Sequence, residues 1–111
     1  CLLKYDGQDT NLDPLAVYRE NDPGGTAELG TKQANAWGLH DMHGNVWEWC
    51  QDCYGNYTSL VSRGTFECSR RIRRGGSWYK FDYACRSANR AYAHPSAKFK
   101  TTGFRLVKEV P

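Results

Sequence analysis

The chain has 111 residues and a formal net charge of +3, which allows one small domain and excludes a highly charged disordered chain. Its apolar runs are only three or four residues long. A membrane-spanning helix needs about 20 consecutive apolar residues, so no span is predicted. The start of the chain has no charged-then-apolar pattern typical of a signal peptide.

The composition favours an aromatic core over an aliphatic one. Leu, Ile, Val and Phe together supply only 18 residues, whereas the chain contains 4 Trp, 7 Tyr and 4 Phe. An aromatic side chain buries roughly 150–250 Å², so these rings can replace the missing aliphatic side chains. The 11 glycines, with many Asn and Ser residues, interrupt the pattern throughout. We therefore predict a folded, loop-rich domain with few regular helices.

Residues 1–35 carry turn sequences and little periodicity. Asp-Gly, Asp-Pro and Asp-Pro-Gly-Gly turns surround the short strand-like run Leu-Ala-Val-Tyr at 15–18. A domain that stands alone rarely opens this way. We expect residue 1 to lie inside a larger domain, or a helical half to be missing.

A strand is predicted at residues 45–50, because Trp47 and Trp49 alternate with residues of the opposite face. Cys50 and Cys53 have the C-x-x-C spacing of zinc and redox sites, but neither a second pair nor a following helix accompanies them. Buried thiols or one or two disulfides are favoured. The five cysteines leave at least one free or paired outside the chain. Residues 54–69 read as a polar loop with a glycosylation sequon at 56–58.

The arginine-rich run at 70–74 is open to two interpretations. Four arginines around Ile72 suit phosphate contacts or one exposed strand. No stacking or groove-entry motif accompanies them, so nucleic acid is not an expected partner. The paired glycines Gly75 and Gly76 predict a close backbone approach after this strand. Residues 79–102 are polar and aromatic without a period, and 103–107 are predicted as a terminal strand.

Three blocks in this order resemble the C-terminal half of the formylglycine-generating-enzyme (sulfatase-modifying factor) family. They are Gly-Leu-His-Asp-Met-His-Gly-Asn-Val-Trp-Glu-Trp at 38–49, Arg-Gly-Gly-Ser-Trp at 74–78 with Cys-Arg-Ser-Ala-Asn-Arg at 85–90, and Gly-Phe-Arg-Leu at 103–106. The resemblance covers about residues 35–107. It implies an α+β, C-type-lectin-like fold with small twisted antiparallel sheets and little helix. Residues 1–111 would form a single domain, the C-terminal part of the family's domain.

The resemblance argues against the family's oxidase chemistry. Its best-known members oxidise a substrate cysteine to formylglycine, with copper held between two cysteines after the Gly-Gly-Ser block. Lys80 stands at the first position, and only the second can fall on Cys85. A single thiolate beside an ammonium is a poor Cu(I) site, so copper is not expected. His40, His43 and His94 do not match the iron site of the related sulfoxide synthases. A fragment of a formylglycine-generating-enzyme-like oxidase remains the alternative function.

Calcium is the cofactor that the resemblance implies. The family's calcium turn maps onto the side chains of Asp41 and Glu48 and the carbonyls of Gly44 and Val46. Two carboxylates and two carbonyls are hard oxygen ligands that suit this ion. The alternative is that Asp41 caps a turn and Glu48 pairs with an arginine. A second family site is not carried over, because Ala16 stands at its position.

A non-catalytic branch of the same fold, the variable proteins of diversity-generating retroelements, displays a binding surface between the second and third blocks. We predict such a surface at 79–83 and 91–101, made of Tyr, Asp, Ser, His and Asn, the residue types of adaptable binding sites. Its ligand would be a protein or cell-surface glycan, and an extracellular or cell-surface location is slightly favoured. The alternative is that the rings fill the core. The predicted ligand-binding residues are Tyr79, Lys80, Phe81, Asp82, Tyr83, Asn89, Ala91, Tyr92, His94, Ser96 and Phe99.

Several further residues are predicted to be structural. Arg86 and Arg90 should be half-buried, where a guanidinium persists only when paired, with Asp52 or Glu48 as possible partners. Cys53 and Cys68 would close the 54–67 loop, and Cys1 with Cys85 resembles a disulfide position of the family. The tryptophans predicted to belong to the scaffold are Trp37, Trp47, Trp49 and Trp78.

Overall fold

The computed structural model describes residues 11–55 and 68–110. The strands are β1 (Ala16–Val17), β2 (His43–Gly44), β3 (Trp47–Cys53), β4 (Arg71–Arg74), β5 (Ala91–Ala93) and β6 (Thr102–Gly103), and a 3-10 helical turn spans Asp82–Cys85. The remaining described residues form loops and turns. The structure therefore confirms the predicted sheet-containing, loop-rich fold with little helix. None of the described helical segments has the length and apolar character needed to cross a membrane.

The main sheet has four strands in the order β5-β4-β3-β6. The pairs β3–β4 and β4–β5 are antiparallel, as predicted, whereas β3 and β6 are parallel. A second, two-stranded sheet pairs β1 with β2, also in parallel. The strand predicted at 103–107 is shorter than expected, because pairing with β3 ends at Gly103.

The turn between β2 and β3 joins the two sheets. Asp41, Gly44 and Asn45 have positive φ angles of 56°, 74° and 62°. A Cβ atom at Gly44 would overlap the carbonyl oxygen of Val17, so only glycine fits. The main chain of Asn45 donates to Val17 O (2.7 Å). The Asn45 side chain accepts from the N–H of Ala27 (3.0 Å) and donates to its carbonyl (3.3 Å).

Main-chain hydrogen bonds hold the segment that follows β4 against this framework. Trp78 N donates to Asn45 O (2.8 Å), and Trp47 N donates to Thr101 O (2.7 Å). Arg19 N donates to Lys80 O (2.9 Å). The predicted close approach is present, since a Cβ at Gly76 would lie 2.8 Å from the Cys85 sulfur. Both ends of segment 78–101 are thus attached through backbone atoms.

The aromatic core is smaller than the composition suggested. Tyr18 and Trp47 are buried, as are Ala16, Val17 and Ile72, and Tyr18 packs with Ala16 and Cys85 in one cluster. Trp49 and Trp78 are half-buried. The assignment of Trp37 to the scaffold is wrong in the described structure, because this side chain is 87% exposed. It follows Asn35, whose side chain accepts the Trp37 N–H, in a surface turn.

The arginine-rich run does not form an exposed strand. Its last four residues form β4, which lies between β3 and β5, and Arg70 precedes the strand on the surface. The Arg73 guanidinium lies 5.3 Å from the Trp47 ring and 5.1 Å from the Phe99 ring. Arg74 donates to the carbonyl of Ser87 (2.9 Å). Guanidinium groups bury well against aromatic rings and carbonyls, which explains why arginines occupy an interior strand.

The predicted Cys53–Cys68 disulfide is present, with a Cα–Cα distance of 5.9 Å. Cys50 and Cys85 are free thiols, so Cys50 and Cys53 are not paired with each other. Cys1 lies outside the described residues, as does the sequon at 56–58.

Candidate functional site

Four aromatic side chains of the predicted binding surface are exposed. The exposed fractions are 55% for Tyr79 and Tyr83, 46% for Tyr92 and 48% for Phe99. The alternative, that these rings fill the core, therefore does not describe them. Rings held half in water supply contact area at low conformational cost, as in adaptable binding surfaces.

Tyr79 and Phe99 line one groove. We call it the 79/99 groove; its cavity measures about 320 Å³. The Arg19 guanidinium lies 5.6 Å from the Tyr79 ring and 4.7 Å from the Phe81 ring. Phe81 in turn contacts Tyr83, with ring centroids 6.2 Å apart. The groove therefore continues into a row of rings along segment 79–83. The residues that line it are Trp78, Tyr79, Phe99, Lys100 and Thr101.

Tyr92 lies on a different face of the molecule. It is paired in register with Ile72, whereas Ala91 is paired with Arg73. Side chains alternate between the two faces of a sheet, so Tyr92 is on the face opposite Arg73 and its partner Phe99. There Tyr92 contacts Tyr54 at 4.5 Å. Segments 79–83 and 91–101 consequently present two surfaces rather than one.

Other predicted residues of this set have local structural roles. Asp82 is only 4% exposed, and its Oδ1 accepts the N–H of Tyr83 (2.7 Å). Asn89 donates to the Ala84 carbonyl (3.1 Å). His94 and Ser96 bond to each other on the surface (2.7 Å). Lys80 is exposed and Ala91 is half-buried. The exposed surface thus excludes Asp82.

Arg19 is a surface residue that sequence reasoning missed. Its contact with Tyr79 depends on the backbone bond between Arg19 and Lys80, which joins segments distant in the chain. No local pattern reports such a bond. Lys100 and Thr101 lie within the predicted range 91–101 but were not among the predicted ligand-binding residues.

The turn before β3 brings together all four predicted calcium ligands. They line one cavity of about 400 Å³. The Oδ2 atom of Asp41 accepts the N–H of Gly30 (2.8 Å), and its Oδ1 is buried with no hydrogen-bond partner. Glu48 instead pairs with Arg105, whose Nη2 lies 2.6 Å from Oε1. The same Nη2 donates to the carbonyls of His40 and Asp41 (3.1 Å each).

The hydrogen bond to Glu48 raises the pKa of Arg105 above its ordinary value. In residues 11–55 and 68–110, no three His, Cys, Asp or Glu side chains converge to hold a metal. Among the four predicted calcium ligands, the buried Asp41 Oδ1 is the carboxylate oxygen without a partner, whereas both oxygens of Glu48 accept from Arg105.

Cys85 is a buried, neutral thiol. Burial, and next the nearby Asp82 carboxylate, raise its pKa to about 12. The thiolate is the form that binds metals, so a thiol with this pKa is a poor ligand at neutral pH. Lys80 is exposed. The two positions that the resemblance relates to copper therefore offer an ammonium and a protonated thiol.

Comparison with known proteins places this framework among C-type-lectin-like domains of one family. The sequence model described as "Sulfatase-modifying factor enzyme 1-like domain" matches residues 6–110. The chain therefore belongs to the sulfatase-modifying factor family, which includes the formylglycine-generating enzymes. The formylglycine-generating enzyme of Thermomonospora curvata is 33% identical over 107 residues, 86% of this chain. The serine/threonine-protein kinase pkn1 of Chlamydia caviae is 39% identical over 92 residues, 77% of this chain.

Two solved structures support the same fold. The Treponema denticola variable protein 1 superimposes with a TM-score of 0.79 at 30% identity, over 87% of this chain and 37% of that chain. PvdO from Pseudomonas aeruginosa gives a TM-score of 0.75 at 32% identity, over 89% of this chain and 41% of that chain. The chain spans 15% of the length of the Chlamydia kinase and 35% of the Thermomonospora enzyme.

Proposed function

We propose that the chain is a non-catalytic ligand-binding module on a C-type-lectin-like framework. The exposure of Tyr79, Tyr83 and Phe99 beside the 79/99 groove is the observation that carries this proposal. These rings are held in place by a backbone scaffold, so they need little ordering when a ligand binds. The structural similarity to the Treponema denticola variable protein 1 supports it. The ligand would be a protein or cell-surface glycan.

An array of immobilised peptides and glycans, probed with the labelled chain, tests the proposal. We expect Tyr79→Ala and Phe99→Ala each to weaken binding to any positive spot by about tenfold or more, as is typical for aromatic anchors. Leu106→Ala is the control, because it removes a large apolar side chain that is even more exposed and does not line the groove. Absence of any binding, or equal losses in all three variants, would refute a dedicated surface.

The alternative function is a fragment of a formylglycine-generating-enzyme-like oxidase. The identity with formylglycine-generating enzymes favours it, whereas the protonated state of Cys85 opposes it. Titration of the reduced chain with Cu(I) discriminates between the two. Tight one-to-one binding that is lost in Cys85→Ser would overturn the non-catalytic proposal.

We also propose a structural calcium ion in the turn before β3. Asp41, Glu48 and the carbonyls of Gly44 and Val46 would hold it, with Glu48 exchanging its partner Arg105 for the ion, and the ion would neutralise the unpartnered Asp41 oxygen. Calcium should then raise the melting temperature of the parent chain but not of Asp41→Asn. Equal melting temperatures in calcium and in EDTA would contradict this assignment.

A further inference from the structure

The 79/99 groove combines aromatic walls with hydrogen-bond donors. Trp78, Tyr79 and Phe99 supply the rings, and Lys100 supplies an ammonium group. The indole N–H of Trp78 is buried and has no hydrogen-bond partner. None of the residues that line the groove, all within the described part of the chain, is Asp or Glu. The Lys100 ammonium therefore has no acidic neighbour in the lining, so the groove favours a ligand that brings a negative charge.

A second cation lies behind the groove. The Arg73 guanidinium stacks on Phe99 and donates through Nη1 to the Thr102 hydroxyl (2.9 Å). Its Nε is buried without a partner, and the described residues place no carboxylate in hydrogen-bonding contact with it. Burial lowers the pKa of Arg73 from its ordinary value. A partly desolvated cation gains most from a nearby anion.

The charge of the whole segment points the same way. Residues 79–101 contain five Lys or Arg side chains and a single acidic one, Asp82. Asp82 is buried, so the exposed formal charges of the segment are all positive. With five basic side chains and one acidic side chain the segment sums to +4, so the other residues of the chain, whose net charge is +3, together carry −1. Such a surface attracts anionic partners and speeds their association.

We propose that the 79/99 groove binds a carboxylate side chain of an acidic polypeptide. The carboxylate would accept from the Lys100 ammonium, while neighbouring apolar side chains of the ligand pack on Tyr79 and Phe99. A polypeptide is favoured over a sulfated glycan, because three rings need apolar groups that a densely sulfated chain lacks. This inference rests on the proposed binding function and specifies its ligand class.

Two labelled peptides test the inference by fluorescence anisotropy. One alternates Glu with Leu, and the other has Gln in place of each Glu. We expect the Glu peptide to bind at least about tenfold more tightly, with an affinity that falls as salt is added. Lys100→Glu should weaken its binding by about tenfold or more. Lys108→Glu makes the same charge change at an exposed lysine outside the groove and should alter binding by less than about twofold.

Each outcome decides one point. Equal affinity for the Glu and Gln peptides, or equal losses in Lys100→Glu and Lys108→Glu, overturns the carboxylate site. Displacement of the Glu peptide by a heparin oligosaccharide, at a lower concentration than by unlabelled peptide, overturns the assignment to a polypeptide. If array ligands bind in a Tyr79-dependent way but show no preference for acidic sequences, this inference fails while the binding function stands. Circular dichroism of Lys100→Glu confirms that the variant is folded.

Discussion

The side chain of Asn45 links two loops that are distant in the sequence. It is buried, and it clamps both the N–H and the carbonyl of Ala27 at 3.0 and 3.3 Å. Its backbone also adopts a left-handed conformation with φ of 62°. Replacing Asn45 by Ala removes both hydrogen bonds. It also leaves in the left-handed conformation a residue whose Cβ is crowded there and whose side chain cannot form the local hydrogen bonds that make Asn tolerant of it. Replacing it by Gly removes the same bonds but keeps the conformation accessible.

The magnitude follows from these contacts. Two hydrogen bonds are worth about 1 kcal/mol each, and a left-handed Ala costs about 1 kcal/mol more. Asn45→Ala should therefore lower the free energy of unfolding by about 3 kcal/mol, and Asn45→Gly by about 2 kcal/mol. For a domain of this size, 3 kcal/mol corresponds to a fall of roughly 10–20 °C in Tm.

Urea unfolding followed by tryptophan fluorescence measures both variants against the parent, and thermal unfolding by circular dichroism gives the Tm values. The critical result is the order of stability, in which the parent is the most stable, Asn45→Gly is intermediate and Asn45→Ala is the least stable. If both variants unfold within about 0.5 kcal/mol of the parent, the clamp on Ala27 contributes nothing. If Ala is as stable as Gly, the left-handed backbone is not a constraint and the reasoning fails.

Two further predictions concern the cysteines. Reduction of the Cys53–Cys68 disulfide, which closes a separation of 15 residues, should lower the free energy of unfolding by about 3 kcal/mol. The Cys53→Ser/Cys68→Ser variant is the control, because reductant should not move its urea midpoint. An equally unmoved midpoint in the parent chain would contradict the prediction. The pKa of Cys85 is raised from 9.0 to about 12 in the folded chain, so its contribution to stability is complete below pH 9 and declines as pH rises toward 12. Stability profiles measured above pH 9 should fall more steeply for the parent than for Cys85→Ala, and parallel profiles would count against a buried neutral thiol.

Local patterns predicted the elements that depend on neighbouring residues. The alternation around Trp47 predicted β3, and the pair Gly75-Gly76 predicted the close approach to Cys85. The disulfide followed from two cysteines on either side of a polar loop. In each case the signal comes from residues that are close together in the sequence, so it can be detected without knowledge of the tertiary structure.

Tertiary contacts decided the features that the sequence did not reveal. The arginines of β4 are interior because Arg73 stacks between Trp47 and Phe99, which requires the register of three strands. The same register separates Tyr92 from the 79/99 groove. Glu48 is paired with Arg105 rather than with Arg86, which is exposed. A local sequence pattern does not show which residues from distant segments will contact each other.

The attachment of segment 78–101 has a consequence for protein engineering. The bonds from Trp78 to Asn45, from Arg19 to Lys80 and from Trp47 to Thr101 use main-chain atoms only. Main-chain groups are the same in nearly every amino acid, so these attachments do not depend on the side chains displayed between them. Combinatorial libraries randomised at Tyr79 and Tyr83 should therefore retain the framework, whereas Phe99, on which Arg73 stacks, should be kept. The molecule therefore separates the main-chain atoms that attach this segment from the side chains that the segment displays.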